Sequence, residues 1–223
     1  MLEGEPLDPR SPRRAARLDW VFVTTASDQR AWSIPVLRAL PAAAVALGIT
    51  FSADHSALLG HIALGSFAAA TGVIVAVGAL RGAYPRGIFL LHGVLLSIGG
   101  VVALASAQSG LPSLLFLTSA LIGVAGIVEL VAGLRARSRM AAARDWVFVG
   151  AVSALFAIAV LLIPVDFVQA ITIPGKVVPP LTASVIVVGA FGAYAAIVAV
   201  YLVIAGLSLK WAPPASTVSS EVQ

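Results

Sequence analysis

Six runs of apolar residues, interrupted only by small or isolated polar positions, occupy most of the chain. They cover roughly 35–52, 57–80, 87–106, 112–134, 146–163 and 182–209. Within each run the apolar positions are continuous rather than alternating, which argues against barrel strands. A helix of about 20 apolar residues crosses a hydrocarbon core about 30 Å thick. The pattern therefore predicts an all-α integral membrane fold with six transmembrane helices. The second, third and fourth runs have full spanning length. The first is short and carries Arg38 and Pro41. The fifth is short but clean, and the sixth is long enough to tilt or to start late.

Composition sharpens this. Of the 223 residues 60% are hydrophobic and 11% charged, against about 45–50% and 25% in soluble domains. Mean hydropathy is +1.02. The net charge of +4 comes from arginines between the apolar runs, a placement that points away from nucleic acid as a partner. There is no cysteine, hence no disulfide framework or thiol chemistry. The first run follows about thirty largely polar residues with no short signal-type core before it, so the first span is expected to serve for targeting. Thirteen of the 14 basic residues fall before span 1 or, as Arg38, near its start, after spans 2 and 4, or after span 6. Lys176 alone lies on the other side. The positive-inside rule then puts both termini in the cytoplasm, and the expected location is the bacterial inner membrane. Three regions follow: a cytoplasmic tail 1–33, mostly disordered with an interfacial segment near 18–23; a six-helix domain 34–210; and a disordered cytoplasmic tail 211–223.

The loops repeat. Short connections near Asp54 and near Gln108–Pro112 alternate with arginine-bearing ones, and "VGALRG" (77–82), "VAGLRAR" (131–137) and "IAGLSLK" (204–210) resemble one another. The expected layout is three helical hairpins, spans 1–2, 3–4 and 5–6, the last with a long outer loop at 164–180. Small residues let membrane helices approach closely. Gly65 and Gly72, Gly93 and Gly100, Gly126 and Gly133, and Ala199 and Gly206 are each seven apart, a spacing that returns to nearly the same helix face. These are the predicted packing seams.

Ionisable residues inside a membrane are expensive and are the first functional candidates. Glu129 precedes Arg135 by six residues and His92 follows Arg86 by six, which puts both about 9 Å in from the arginine loops. Arg38 lies at a similar or shallower level. Arg38, His92 and Glu129 thus form a candidate intramembrane cluster. Two readings stand side by side. In one, Glu129 pairs with Arg38, or with an arginine reaching back from 135, and His92 bonds a carbonyl. In the other, His92 and Glu129 form a protonatable pair. Asp54, His55 and His61 are candidate pH-responsive groups on the outer face. Phosphate loops, nucleophile elbows and HExxH-type zinc motifs are missing, so the chain is expected to be non-enzymatic, with no catalytic, cofactor or metal residues. Its partners are the lipid bilayer and, as candidates, a second copy or another membrane protein.

Asp-Trp-Val-Phe-Val occurs twice, at 19–23 and 145–149. Both copies are expected at the cytoplasmic interface, where Trp favours the headgroup level. Trp20, Trp146 and Trp211 are the predicted interfacial anchors.

The hairpin layout, "LLHGVLLSIGGVVAL" (90–104), "LTSALIGVAGIVELVAGLRAR" (117–137) and "RDWVFVGAVSALFAIAVLLIP" (144–164) together resemble the HdeD-like acid-resistance membrane protein family. The resemblance covers about residues 36–210. It implies a small bacterial inner-membrane protein of acid or stress tolerance, built of three two-helix repeats, and it supplies no catalytic residue. The alternative expectation is a small proton-coupled transporter or permease with His92 and Glu129 in its path.

Overall fold

The computed structural model describes residues 32–138, 140, 142–170 and 179–211. The described residues form six helices: α1 (Ser33–Thr50), α2 (Ala57–Leu80), α3 (Arg86–Ala105), α4 (Gly110–Ala136), α5 (Ala143–Leu161) and α6 (Ala183–Trp211). All six are long and apolar enough to cross a membrane, as the hydrophobic runs predict. Between α5 and α6, β1 (Val168–Gln169) and β2 (Leu181–Thr182) form a small antiparallel ladder pairing Val168 with Thr182. The large apolar side chains left outside the bundle, such as Leu91, Ile98 and Val101 on α3 and Leu155, Ile158 and Leu161 on α5, form the continuous apolar coat a bilayer requires. The chain is a multi-pass membrane protein.

Glycine decides which helices meet most closely. A Cβ placed on Gly72 would lie 2.5 Å from the Gly93 carbonyl oxygen, and one on Gly93 would lie 2.6 Å from that of Gly72. One seam step away, Gly65 and Gly100 face each other's carbonyls at 2.8 and 2.7 Å. On α4 and α5, Gly126 and Gly150 do the same at 2.8 and 2.7 Å. Only residues without a side chain allow backbones this near, and the approach gains dispersion and Cα–H···O contacts. The third close pair is α1 with α6, where Gly206 sits against the Trp32 carbonyl and Val36. Lys210 caps this pair from 4.8 Å above the Trp32 ring.

The intimate pairs are therefore α2·α3, α4·α5 and α1·α6. This is offset by one helix from the expected hairpins 1–2, 3–4 and 5–6. The physical reason lies in the seams: the glycine carbonyl contacts join helices across the arginine loops, not across the short loops of the opposite end.

The three pairs share one registration. Gly133 faces the Ala143 carbonyl and the Val147 amide just as Gly206 faces Trp32 and Val36. Positions 72, 126 and 199 thus correspond along α2, α4 and α6, and positions 93, 150 and 39 along α3, α5 and α1. By the same registration His92, Val149 and Arg38 are equivalent, and so are Val75, Glu129 and Leu202. Each of these six side chains is buried. Gly78 lies against Tyr84 and Ile34, so the start of α1, the end of α6 and the loop 81–85 share one end of the bundle, the arginine-loop end. Midway along the bundle, on the side of those six side chains away from the arginine loops, lies an aromatic layer of Phe67, Phe156, Phe191 and Tyr194, whose neighbouring rings are 4.7–6.3 Å apart.

Candidate functional site

The registration brings Arg38 of α1, His92 of α3 and Glu129 of α4 to a single point. Each is at most 5% exposed. The Arg38 guanidinium donates to Glu129 Oε1, and His92 Nε2 lies 3.5 Å from the same oxygen. A single charge in the bilayer interior costs about 2.5–3.5 kcal/mol on insertion scales; pairing offsets part of that. Of the two partners expected for Glu129, Arg38 is the one in contact. His92 approaches the carboxylate from another helix, so one oxygen is shared between two potential cations. Among the described residues Arg38 Nε, His92 Nε2 and Glu129 Oε2 find no hydrogen-bond partner.

A cavity of about 20 Å³ adjoins the cluster on the bundle axis. Every helix contributes to its lining, and Arg38, Thr71, Glu129, Ser153 and Tyr194 supply the polar part. The Thr71 hydroxyl is buried and unpartnered. Ser153 Oγ donates to the Val149 carbonyl at 2.7 Å, which leaves the Tyr194 hydroxyl, 2.8 Å away, to donate to Ser153. Thr71, Ser153 and Tyr194 were not foreseen. Isolated hydroxyls in an apolar run look like ordinary membrane-helix residues, and only the registration brings them to one level.

Towards the arginine-loop end lies a second cavity of about 20 Å³, lined by Arg38, Ala83, Tyr84, Asp145, Trp146, Val149, Leu202 and their neighbours. Tyr84, in the loop outside the spans, is 6% exposed. Burial pushes its hydroxyl above the ordinary phenol range, against the opposing pull of Arg38. A raised phenol stays protonated through neutral and acid pH, so its contribution to stability is full below the ordinary phenol value and is lost as alkaline pH rises from there through its folded value. An acid response cannot arise from it. Asp145 is half-buried and accepts a hydrogen bond from the Tyr201 hydroxyl at 2.8 Å.

The outer-face candidates separate. Asp54 Oδ1 accepts from the Ser56 amide at 2.8 Å and Oδ2 from the Ser56 hydroxyl at 2.9 Å, while Ser56 in turn caps α2 through the Leu59 amide. Asp54 thereby braces a helix cap. His55 is half-buried in the same loop. His61 is fully buried, not on the outer surface. Its Nδ1–H donates to the Ala57 carbonyl at 2.8 Å, and Nε2 faces Ser113 Oγ at 3.3 Å, so it ties α2 to α4.

Trp146 corrects an expectation. It is 3% exposed and packs on Phe89 at 4.7 Å and Tyr84 at 5.6 Å; an interfacial anchor would face lipid. The α4·α5 approach at Gly133 and Ala143 turns the first turn of α5 inward. Trp211 is 70% exposed at the end of α6. Trp20, the first pentapeptide copy, the tail 1–31, residues 171–178 with Lys176, and 212–223 lie outside the described residues. The glycine candidates fare best: Gly65, Gly72, Gly93, Gly100, Gly126, Gly133 and Gly206 each abut backbone of a partner helix. Compared with protein families, with curated proteins and with solved structures, the chain matches none.

Proposed function

We propose that the chain is a non-enzymatic protein of the bacterial inner membrane, with both termini cytoplasmic, serving acid or stress tolerance in the manner of the HdeD-like family. The Arg38–His92–Glu129 cluster is its acid-responsive part. The observation that carries this reading is the shared Glu129 oxygen. With His92 neutral, Arg38 holds the carboxylate and ties α1 to α4. A proton on His92 creates a second cation 3.5 Å from that oxygen. The carboxylate is then divided between α1 and α3, and the three helix pairs must adjust together. A purely structural ion pair needs no histidine there. The orientation rests on the arginine loops, and the choice of acid tolerance on the resemblance.

The test is acid survival of a deletion strain carrying the wild-type gene, His92→Gln or Glu129→Gln. Rescue by the wild type alone supports the proposal. Full rescue by both variants, expressed at wild-type level, would remove the cluster from the function.

The transporter reading draws on the axial cavity, which places polar groups in the middle of the bundle. Proton or solute flux in proteoliposomes under an imposed pH gradient, abolished by Glu129→Gln, would favour it.

A further inference from the structure

We infer that water-borne protons reach Glu129 from the arginine-loop end only, through a dead-end access whose inner wall is Arg38, Val149 and Leu202. The inference rests on the acid-responsive reading of the cluster and names the side from which it is addressed. The two cavities carry the argument. One is axial and contains Thr71, Glu129, Ser153 and Tyr194 on its wall; the other lies at the loop end and contains Tyr84 and Asp145. Both are lined by Arg38, Val149 and Leu202, so they adjoin at the guanidinium. The rim of the second includes half-buried Ala83, Ala142, Asp145 and Leu209, which border the arginine-loop surface.

Size selects what can enter. A cavity needs at least about 10–15 Å³ of this kind of space to hold one water, and that water needs two to four polar partners. Each cavity has about 20 Å³. In the axial one, Thr71 Oγ1, Arg38 Nε and Glu129 Oε2 are unpartnered and form the required set. There is space for a water and its proton, but not for a carboxylate or a sugar. The permeating species is therefore a proton rather than a solute.

On the far side the axial cavity meets aromatic rings. Tyr194 precedes Leu202 by eight residues on α6, about 12 Å along the helix. There the mutually packed rings of Phe67, Phe156, Phe191 and Tyr194 bound the axial cavity, Phe67 and Tyr194 forming part of its wall. Among the described residues, the titratable and charged groups that face the access are Arg38 from α1, Tyr84 from the α2–α3 loop, His92 from α3, Glu129 from α4, Asp145 from α5, and Tyr194 and Tyr201 from α6. From α2 only the Thr71 hydroxyl joins them. A path open at one end and stopped at the other delivers protons to a sensor and conducts none across the membrane.

The absence of native cysteine makes single-cysteine variants of the full chain direct reporters. Val149→Cys and Leu202→Cys sit on the shared wall, Phe191→Cys in the aromatic layer, and Leu155→Cys on the lipid face. Silver ion, small enough to follow a water path, is added to one or the other side of sealed right-side-out and everted vesicles. Blocked thiols are then scored by maleimide labelling after denaturation. Silver from the arginine-loop side should block Val149→Cys and Leu202→Cys roughly tenfold faster than from the other side, a barrier difference of about 1.4 kcal/mol. Phe191→Cys and Leu155→Cys should stay labelled. Equal blocking from both sides, blocking from the far side, or no blocking of either wall variant overturns the inference. If access is one-sided while His92→Gln and Glu129→Gln still rescue acid survival, the access stands and the acid-responsive reading falls.

Discussion

At the residue scale, the shared carboxylate sets the energetics. Removing one partner of a buried ion pair strands the other charge and costs about 3–5 kcal/mol, whereas replacing both with apolar residues of similar size is often neutral. Glu129→Leu and Arg38→Leu should each lower the melting temperature of the detergent-solubilised protein, and the double variant should recover most of the loss. Additive losses would show that the pair does not act as a unit. The Tyr194 hydroxyl is a smaller test. Tyr194→Phe keeps the ring stacked 4.7 Å from Phe156 and removes only the bond to Ser153, so about 1 kcal/mol should go. The sequence made Arg38, His92 and Glu129 conspicuous, because charges in apolar runs stand out. It could not bring Thr71, Ser153 and Tyr194 to them, since hydroxyls are cheap in membrane helices and their level depends on how the helices slide past one another. Trp146 misled for the same reason: a tryptophan at the end of a span reads as an interface residue until packing turns it inward.

At the element scale, glycine against backbone is the rule that assembles the pairs. Gly150→Ala would drive a methyl to within 2.4 Å of the Leu130 amide nitrogen and 2.7 Å of the Gly126 carbonyl. The pair must separate, and stability should fall by about 1–3 kcal/mol, the usual range for overpacking. Gly189 has nothing within 4 Å of where a Cβ would stand, so Gly189→Ala should be neutral or gain up to about 1 kcal/mol of helix propensity. Melting curves of the two variants decide; equal effects would sink the seam argument. The helix bounds were legible from hydropathy to within a few residues. The glycines at seven-residue spacing lie where partner backbone approaches most closely. Their spacing did not say which face meets which, because a seam specifies a surface and leaves its partner open.

At the scale of the whole molecule, three similarly registered pairs surround one axis, and α1 with α6 completes the ring across the chain ends. Permuted chains test this. The ends of α1 and α6 are adjacent, with Gly206 against the Trp32 carbonyl. A permutant joined there and opened in the loop 106–109 keeps all three intimate pairs and should fold. Opening the loop 81–85 instead cuts the α2·α3 connection and should lower yield and melting temperature. The reverse order would restore the hairpins 1–2, 3–4 and 5–6 as the building units. The repeat is legible in "VGALRG", "VAGLRAR" and "IAGLSLK", but these segments end the first helix of each intimate pair, or α6 beside α1, rather than the second helix of a hairpin.

That arrangement puts the acid-responsive claim within reach of one optical reporter. Trp146 packs at a tilt against Phe89, whose ring centroid is 6.1 Å from that of His92. With Trp20, Trp32 and Trp211 replaced by Phe, the fluorescence of Trp146 in proteoliposomes can be titrated from neutral to acid pH. A sigmoidal change that disappears in His92→Gln is the expected result. A titration unchanged by His92→Gln, or a flat response in the parent, would contradict the claim that a proton on His92 reorganises the cluster.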